Sequence, residues 1–244
     1  MTPARSRAAW CALLLGATVA IGPGPSALPA RADPVVTTTA PTPEGFAYQP
    51  LWPFASRGEA DRWLREGTAA EPWHADPKAT ALLFAQDYLG FKEINRTTTV
   101  TEHADEAWVG VGYALPTDVL TTAATIHLAR FGTDPNSPWE VVGSRDDVLT
   151  LSTPQYASAA AAVIEAGGTI TGVDESLHLQ ARQSTQENPL GDYCCVSAGG
   201  EAEPWSATLQ ISPPPQPGAL TLVVWTGGHV AEVEKFAVTG LRVP

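Results

Sequence analysis

Residues 107–115 read Ala107-Trp108-Val109-Gly110-Val111-Gly112-Tyr113-Ala114-Leu115, and the reading of this stretch sets the fold class. Val109, Val111, Tyr113 and Leu115 alternate, which puts them on one face of a strand. The Thr-rich segment Arg96 to His103 reads as the preceding strand, with Ala104-Asp105-Glu106 as the turn between them. Thr122 to Phe131 reads as the next strand, with Ile126 and Leu128 on one side and His127 and Phe131 on the other. Trp139 to Gly143 and Asp147 to Leu151 are shorter strand candidates.

Two helices are expected upstream. Ser56 followed by Glu59 has capping-box spacing, and a short helix from Glu59 to Glu66 ends at Gly67. Asp76 caps a second helix, Pro77 suits its first turn and Gly90 stops it. Leu82, Ala85 and Leu89 share a face that Phe84 and Tyr88 widen, a stripe suited to packing on a sheet. Helices followed by an antiparallel meander imply an α+β domain over residues 52–151, with a helix laid across a curved sheet. In this order of elements the region resembles the cystatin-like and ketosteroid-isomerase-like group of folds.

Residues 152–161, with Pro154 and the small-residue run Ser158 to Ala161, are expected to link this domain to a second one over 162–244. The second region reads as all-β. Its candidate strands are 162–165, 169–172, 177–183, 194–197, 205–211, 220–225 and 233–243. Gly167-Gly168, Val173-Asp174-Glu175, Gly199-Gly200, Pro213-Pro214-Pro215 and Gly227-Gly228 are read as the turns between them. Seven short strands at this spacing predict a β-sandwich.

Four quoted pieces carry a resemblance here: Gly168-Thr169-Ile170-Thr171-Gly172, Pro204-Trp205-Ser206-Ala207-Thr208-Leu209, Pro217-Gly218-Ala219-Leu220-Thr221-Leu222 and Glu232-Val233-Glu234-Lys235-Phe236-Ala237-Val238. In that order they resemble the immunoglobulin-like domain associated with bacterial spore-germination proteins, which often sits beside a GerMN domain. The resemblance implies an immunoglobulin-like sandwich and an extracytoplasmic accessory or binding role. Gln183 to Cys195 departs from the pattern, and the first region does not read as GerMN, so a germination role is not carried over.

The N-terminal end of the sequence is unlike the rest. Arg5 and Arg7 precede the uncharged stretch Ala8 to Ile21, a Gly-Pro breaker and Ala30-Arg31-Ala32. These are the ordered parts of a secretory signal peptide over residues 1–32, with cleavage expected after Ala32. The apolar run is shorter than the roughly 20 residues that span a bilayer. Residues 33–51 read as a flexible leader rich in Pro and Thr.

Net charge is −12, and without residues 1–32 the chain has 11 basic and 26 acidic residues. Such a surface repels phosphate backbones and anionic membranes, so nucleic acid is not an expected partner, and no second apolar segment is long enough for membrane insertion after cleavage.

Export places the two remaining cysteines, Cys194 and Cys195, in an oxidising compartment. Adjacent Cα atoms stand about 3.8 Å apart, below the usual disulfide range, which strains a bond between them. Three arrangements stay open: a vicinal disulfide, free thiols half-buried in a strand, or a link between two chains. Strand alternation points the two side chains to opposite faces. A C-x-x-C redox motif is absent.

Chemistry-bearing patterns are sparse. His74-Ala75-Asp76 and His103-Ala104-Asp105 pair possible zinc ligands, yet helix capping and turn formation account for both aspartates, and no closed ligand set accompanies them. No metal site and no cofactor is expected. G-x-S-x-G and phosphate-binding fingerprints are absent, Gly110-Val111-Gly112 being a lone G-x-G inside a strand. His127, placed on the face toward the helix, is the pocket candidate if the chain is enzymatic, with Tyr113 and Asp87 as possible partners. Trp225, beside Thr226-Gly227-Gly228-His229, is the tryptophan expected to be most exposed and available for binding.

These readings favour an exported, non-catalytic binding or accessory protein whose partner is an envelope protein or cell-wall glycan. The alternatives are a small-molecule isomerase or hydrolase with its pocket in the first domain, and a protein inhibitor with an apolar wedge at one end of its sheet.

Overall fold

The computed structural model describes residues 46–67 and 71–244, without the side chains of 173–175. The signal peptide expected over 1–32 and most of the leader lie outside the described residues.

Helix α1 spans Arg57–Glu66. The Ser56 hydroxyl accepts from the Glu59 amide at 3.4 Å, and the Glu59 carboxylate accepts from the Ala55 amide at 2.8 Å, a reciprocal cap shifted by one residue. Helix α2 spans Pro77–Leu83, capped by Asp76 Oδ1 accepting from the Lys78 amide at 2.9 Å. It continues as a wider π-type turn through Phe84–Tyr88. Gly90, at φ 85°, then turns the chain in a conformation that side-chain-bearing residues resist.

The body of the protein is two four-stranded antiparallel sheets. Strands β1 (Arg96–Glu102), β2 (Glu106–Ala114), β3 (Leu120–Arg130) and β4 (Trp139–Arg145) pair in chain order. The second sheet has the order β6-β5-β7-β8, formed by β5 (Val163–Arg182), β6 (Gly191–Gln210), β7 (Gly218–Thr226) and β8 (Lys235–Val243). The chain is therefore β-rich with few helices.

The expected strand from Asp147 to Leu151 is absent. Asp146 Oδ1 instead accepts from the amides of Val148 and Leu149 at 2.7 and 2.9 Å, curling the chain, and Leu149 makes only an isolated bridge to Ile170. The seven short strands expected after residue 162 are four. Gly167-Gly168 and residues 173–175, read as turns, run inside β5, and Gly199-Gly200 runs inside β6. Their turn chemistry is spent on bulges: the register shifts between Ile170 and Gly172 and between Gly172 and Glu175. These shifts also reverse the strand's parity. Ile164, Ala166 and Ile170 face the core before them, and Leu177, Leu179 and Ala181 face the same core after them. The hairpin thus folds over its own apolar cluster, with Trp205, Leu209, Leu220 and Leu222 completing it.

The largest core lies between the sheets. Phe84, Ala85 and Tyr88 pack with Val109, Val111, Ile126 and Leu128 of the first sheet and with Val223, Phe236 and Val238 of the second. Polar ties cross the same boundary: the Tyr88 hydroxyl donates to Thr221 Oγ1 at 3.1 Å, and the Val238 amide donates to Ser144 Oγ at 2.7 Å. Residues 152–161, expected as a linker, are pinned at several points. The Ala157 amide donates to the Gly240 carbonyl and the Ala160 amide to that of Arg242, both at 2.8 Å. A third cluster, containing Phe46, Phe54, Trp63 and Phe131, covers part of the other face of the first sheet beneath α1.

Candidate functional site

His127 is not on the helix side of its sheet. Strand β3 sends Ile126 and Leu128 toward α2, so His127 points to the opposite face. The space beneath α2 is filled by Phe84 and Tyr88, which are 0% and 8% exposed.

On the far face, β2 and β3 place Trp108 directly opposite His127. Their rings lie parallel within 2° with centroids 3.9 Å apart. The Arg145 guanidinium sits 4.4 Å from the Trp108 ring centre. His127 Nε2 is 3.5 Å from Glu106 Oε2, too long for a hydrogen bond, and this buried nitrogen has no hydrogen-bond partner. The other Glu106 oxygen accepts a hydrogen bond from the Tyr48 hydroxyl, and the Tyr48 ring stands edge-on to His127 at 5.2 Å. That hydrogen bond holds the Glu106 carboxyl below its ordinary range and lifts the Tyr48 phenol. Burial holds the His127 imidazole below its usual value against the pull of Glu106, which favours the neutral ring.

A cleft of about 400 Å³ opens beside this cluster. Tyr48, His127 and Tyr156 supply rings, and Ser144, Ser152, Gln155 and Thr239 supply hydroxyl and amide groups. Tyr156 is 40% exposed, while its hydroxyl accepts from the Gln49 amide at 2.7 Å, and burial of that end pushes the phenol up to about 12.

The partners proposed for His127 from sequence are elsewhere. Asp87 forms an exposed pair with Lys92 at 2.8 Å. Tyr113 belongs to the inter-sheet core and borders a separate groove with Glu93, Leu115 and Val230. Residues that meet His127 or share its cleft were hidden by their surroundings: Tyr48 in a stretch read as flexible leader, Glu106 in a turn, Tyr156 in a linker. Only their aromatic or acidic character, isolated in small-residue sequence, could have marked them.

Trp225 is half-buried rather than the exposed ring expected. It packs on Phe91 at 5.3 Å and stacks on His178 at 5.2 Å. The cysteines also depart from simple alternation. Leu177 pairs with Val196 and His178 with Cys194, so Cys195 is the extra residue of a bulge and lies on the same side as Cys194. The two sulfurs meet at bonding contact. The two H-x-D pairs stay apart in role: His74 is buried between Phe54 and Trp73 rings and pairs with Glu71 at 3.2 Å, Asp76 caps α2, and His103 is exposed.

Comparison with protein-family models gives no match, and comparison with curated proteins gives none either.

Proposed function

We propose that the chain is an exported, non-catalytic binding protein of the cell envelope or extracellular space, and that the cleft beside His127 holds a neutral cell-wall glycan. The observation that carries this reading is the make-up of the cleft, in which the rings of Tyr48, His127 and Tyr156 stand beside the polar groups of Ser144, Ser152, Gln155 and Thr239. Sugars present apolar C–H faces and hydroxyls together, and amphipathic rings next to small polar groups match both. The net charge of −12 works against anionic ligands. The immunoglobulin-like reading of 162–244 and the helix-on-sheet reading of 52–151 belong to this proposal, and the accessory role rests on the former.

A second reading, an isomerase or hydrolase of a small molecule, draws on the contact between His127 and Glu106. Geometry weighs against it, because no hydrogen bond bridges the 3.5 Å between His127 Nε2 and Glu106 Oε2, so the carboxylate does not orient the imidazole as an acid–base pair requires.

Calorimetric titration with soluble cell-wall fragments tests both. The binding reading expects saturable affinity that Tyr156→Ala weakens about tenfold, some 1.4 kcal/mol, with the glycan recovered unchanged. Chemical conversion of the glycan lost in His127→Ala supports the enzyme instead. Affinity that is absent, or indifferent to Tyr156→Ala, sinks the glycan assignment.

A further inference from the structure

We propose that Cys194, Cys195 and His178 form a redox-gated copper(I) site: closed while the cysteines are joined as a disulfide, and a two-sulfur, one-nitrogen site once they are reduced.

The arrangement is built by strand register. Cys194 of β6 lies opposite His178 of β5, and His178 lies opposite Trp225 of β7, so three neighbouring strands present one row. The bulge at Cys195 brings the second sulfur into the same row. Without it, the two cysteines point to opposite faces and only one reaches the histidine. His178 Nε2 is 3.6 Å from Cys194 Sγ and 3.4 Å from Cys195 Sγ, so one ring nitrogen faces both sulfurs. The donor atoms of all three residues lie within 4.8 Å of one another. Trp225 stacks on the imidazole with planes 22° apart, and Phe91 backs Trp225, which fixes the ring in the plane the ligand set uses.

The donor set selects the metal. Two thiolates and an imidazole are soft and borderline ligands, which favour copper(I). Structural zinc closes with four protein ligands, and among the described residues this cluster has three. Hard cations want oxygen donors, and the nearby Asp192 carboxylate is engaged by the Gln180 side-chain amide at 2.5 Å.

Gating follows from exposure. Cys194 is exposed and Cys195 half-buried, so a dithiol reductant meets the Cys194 sulfur first. Its thiolate bonds to that sulfur, the bond between the cysteines breaks and Cys195 leaves as a thiolate. The reductant's second thiol then displaces Cys194 and closes a cyclic disulfide, so two electrons pass from the dithiol to the protein pair. Copper(I) afterwards replaces the thiol protons, which go to solvent, with no change in its oxidation state.

The test uses the purified full chain in two forms, oxidised and phosphine-reduced under anaerobic conditions, titrated with copper(I) against a chromophoric chelator. The expected result is one copper(I) per chain in the reduced form and none in the oxidised form. X-ray absorption of the reduced wild-type complex should show two sulfur neighbours and one nitrogen. His178→Ala and His178→Asn should each weaken binding at least tenfold, and Cys194→Ser with Cys195→Ser should abolish it, with circular dichroism checking the fold. Reduced protein that takes no copper from the chelator overturns the proposal. So does sulfur-only ligation in the wild-type spectrum, unchanged affinity in folded His178→Asn, or zinc(II) displacing the bound copper(I).

Discussion

Each of the two sheets carries a histidine stacked on a tryptophan from the next strand, and the two pairs have opposite surroundings. In the first sheet Trp108 and His127 lie 3.9 Å apart beside the Glu106 carboxylate. In the second, Trp225 and His178 lie 5.2 Å apart beside two sulfurs. Cross-strand pairing supplies both platforms, and what the flanking strand contributes decides the chemistry. Strand β2 begins with an acid, so a carboxylate stands beside the first platform. Strand β6 carries a bulged cysteine pair, so two sulfurs stand beside the second. The sheets differ in shape for a related reason. The first keeps one register with single shifts, whereas the second folds over itself at clustered bulges.

Close backbone approach at the folded hairpin predicts the largest effect. A Cβ on Gly168 meets the Thr150 carbonyl oxygen at 2.0 Å, where the folded hairpin crosses the 149–153 segment. Backbone cannot swing aside as a side chain can, so Gly168→Ala should cost about 3 kcal/mol. On the first sheet, a Cβ on Gly143 meets nothing nearer than 3.8 Å. Gly143→Ala should cost less than about 1 kcal/mol. Urea unfolding of both variants checks this contrast, and equal costs break it.

The first sheet also buries ionisable groups whose pH responses oppose each other. Glu140 is 0% exposed, with one oxygen accepting from the Phe54 amide at 3.1 Å and the other unpaired. Burial raises its carboxyl well above the ordinary value, so the folded chain holds this proton more tightly than the unfolded chain. Stability from this group is full below the unfolded pKa of about 4.5 and falls as pH rises above it. His127, lowered by burial, acts in the other direction: its contribution falls as pH drops below the unfolded value of about 6.5. Glu140→Gln should therefore flatten the fall above pH 4.5 and stabilise the protein at neutral pH, by about 1.4 kcal/mol for each tenfold difference in proton affinity removed. Denaturant midpoints measured from pH 4 to 8 decide it. A variant that tracks the wild type across that range refutes a raised proton affinity at buried Glu140.

How far these features were legible varies with their physical origin. Periodicity carried the first sheet: Val109, Val111 and Tyr113 alternate into the core as the sequence pattern requires, and Asp76, Pro77 and Gly90 bound the second helix and its extension. Glycine pairs misled in the second half, because Gly167-Gly168 and Gly199-Gly200 are as suited to bulges inside long strands as to turns between short ones. The sites were least legible. The sequence marks His127, but its face depends on which neighbour the strand turns toward the helix. Tyr48, Glu106 and Tyr156 join it from positions 58 and 107 residues apart in their hydrogen bonds, distances over which no local pattern reports. Cys195 joined Cys194 through a one-residue register shift, and such a shift is invisible until the partner strand is known.

A smaller effect sharpens the comparison at His127 itself. Glu106 pulls the imidazole's proton affinity upward while burial pushes it down. Glu106→Gln keeps the shape and removes the charge, so the His127 resonance should titrate at lower pH than in the wild type, where it already titrates below the usual range. Nuclear magnetic resonance of the imidazole follows this without reference to any ligand. An unchanged or raised midpoint means that Glu106 does not face the ring in solution.

The smallest effect belongs to Asp87, the acid that the sequence offers as a partner for His127. Its carboxylate meets only the Lys92 ammonium in the described contacts, with side chains 57% and 71% exposed. A solvent-screened pair of this kind contributes little, because water stabilises each charge nearly as well as its partner does. Asp87→Asn should change stability by less than about 0.5 kcal/mol and leave the His127 titration where it was. Moving that titration by this substitution would put Asp87 back within electrostatic reach of the imidazole. It would also undo the separation between the helix face and the cleft face of the first sheet, on which the contrast between the two histidines depends.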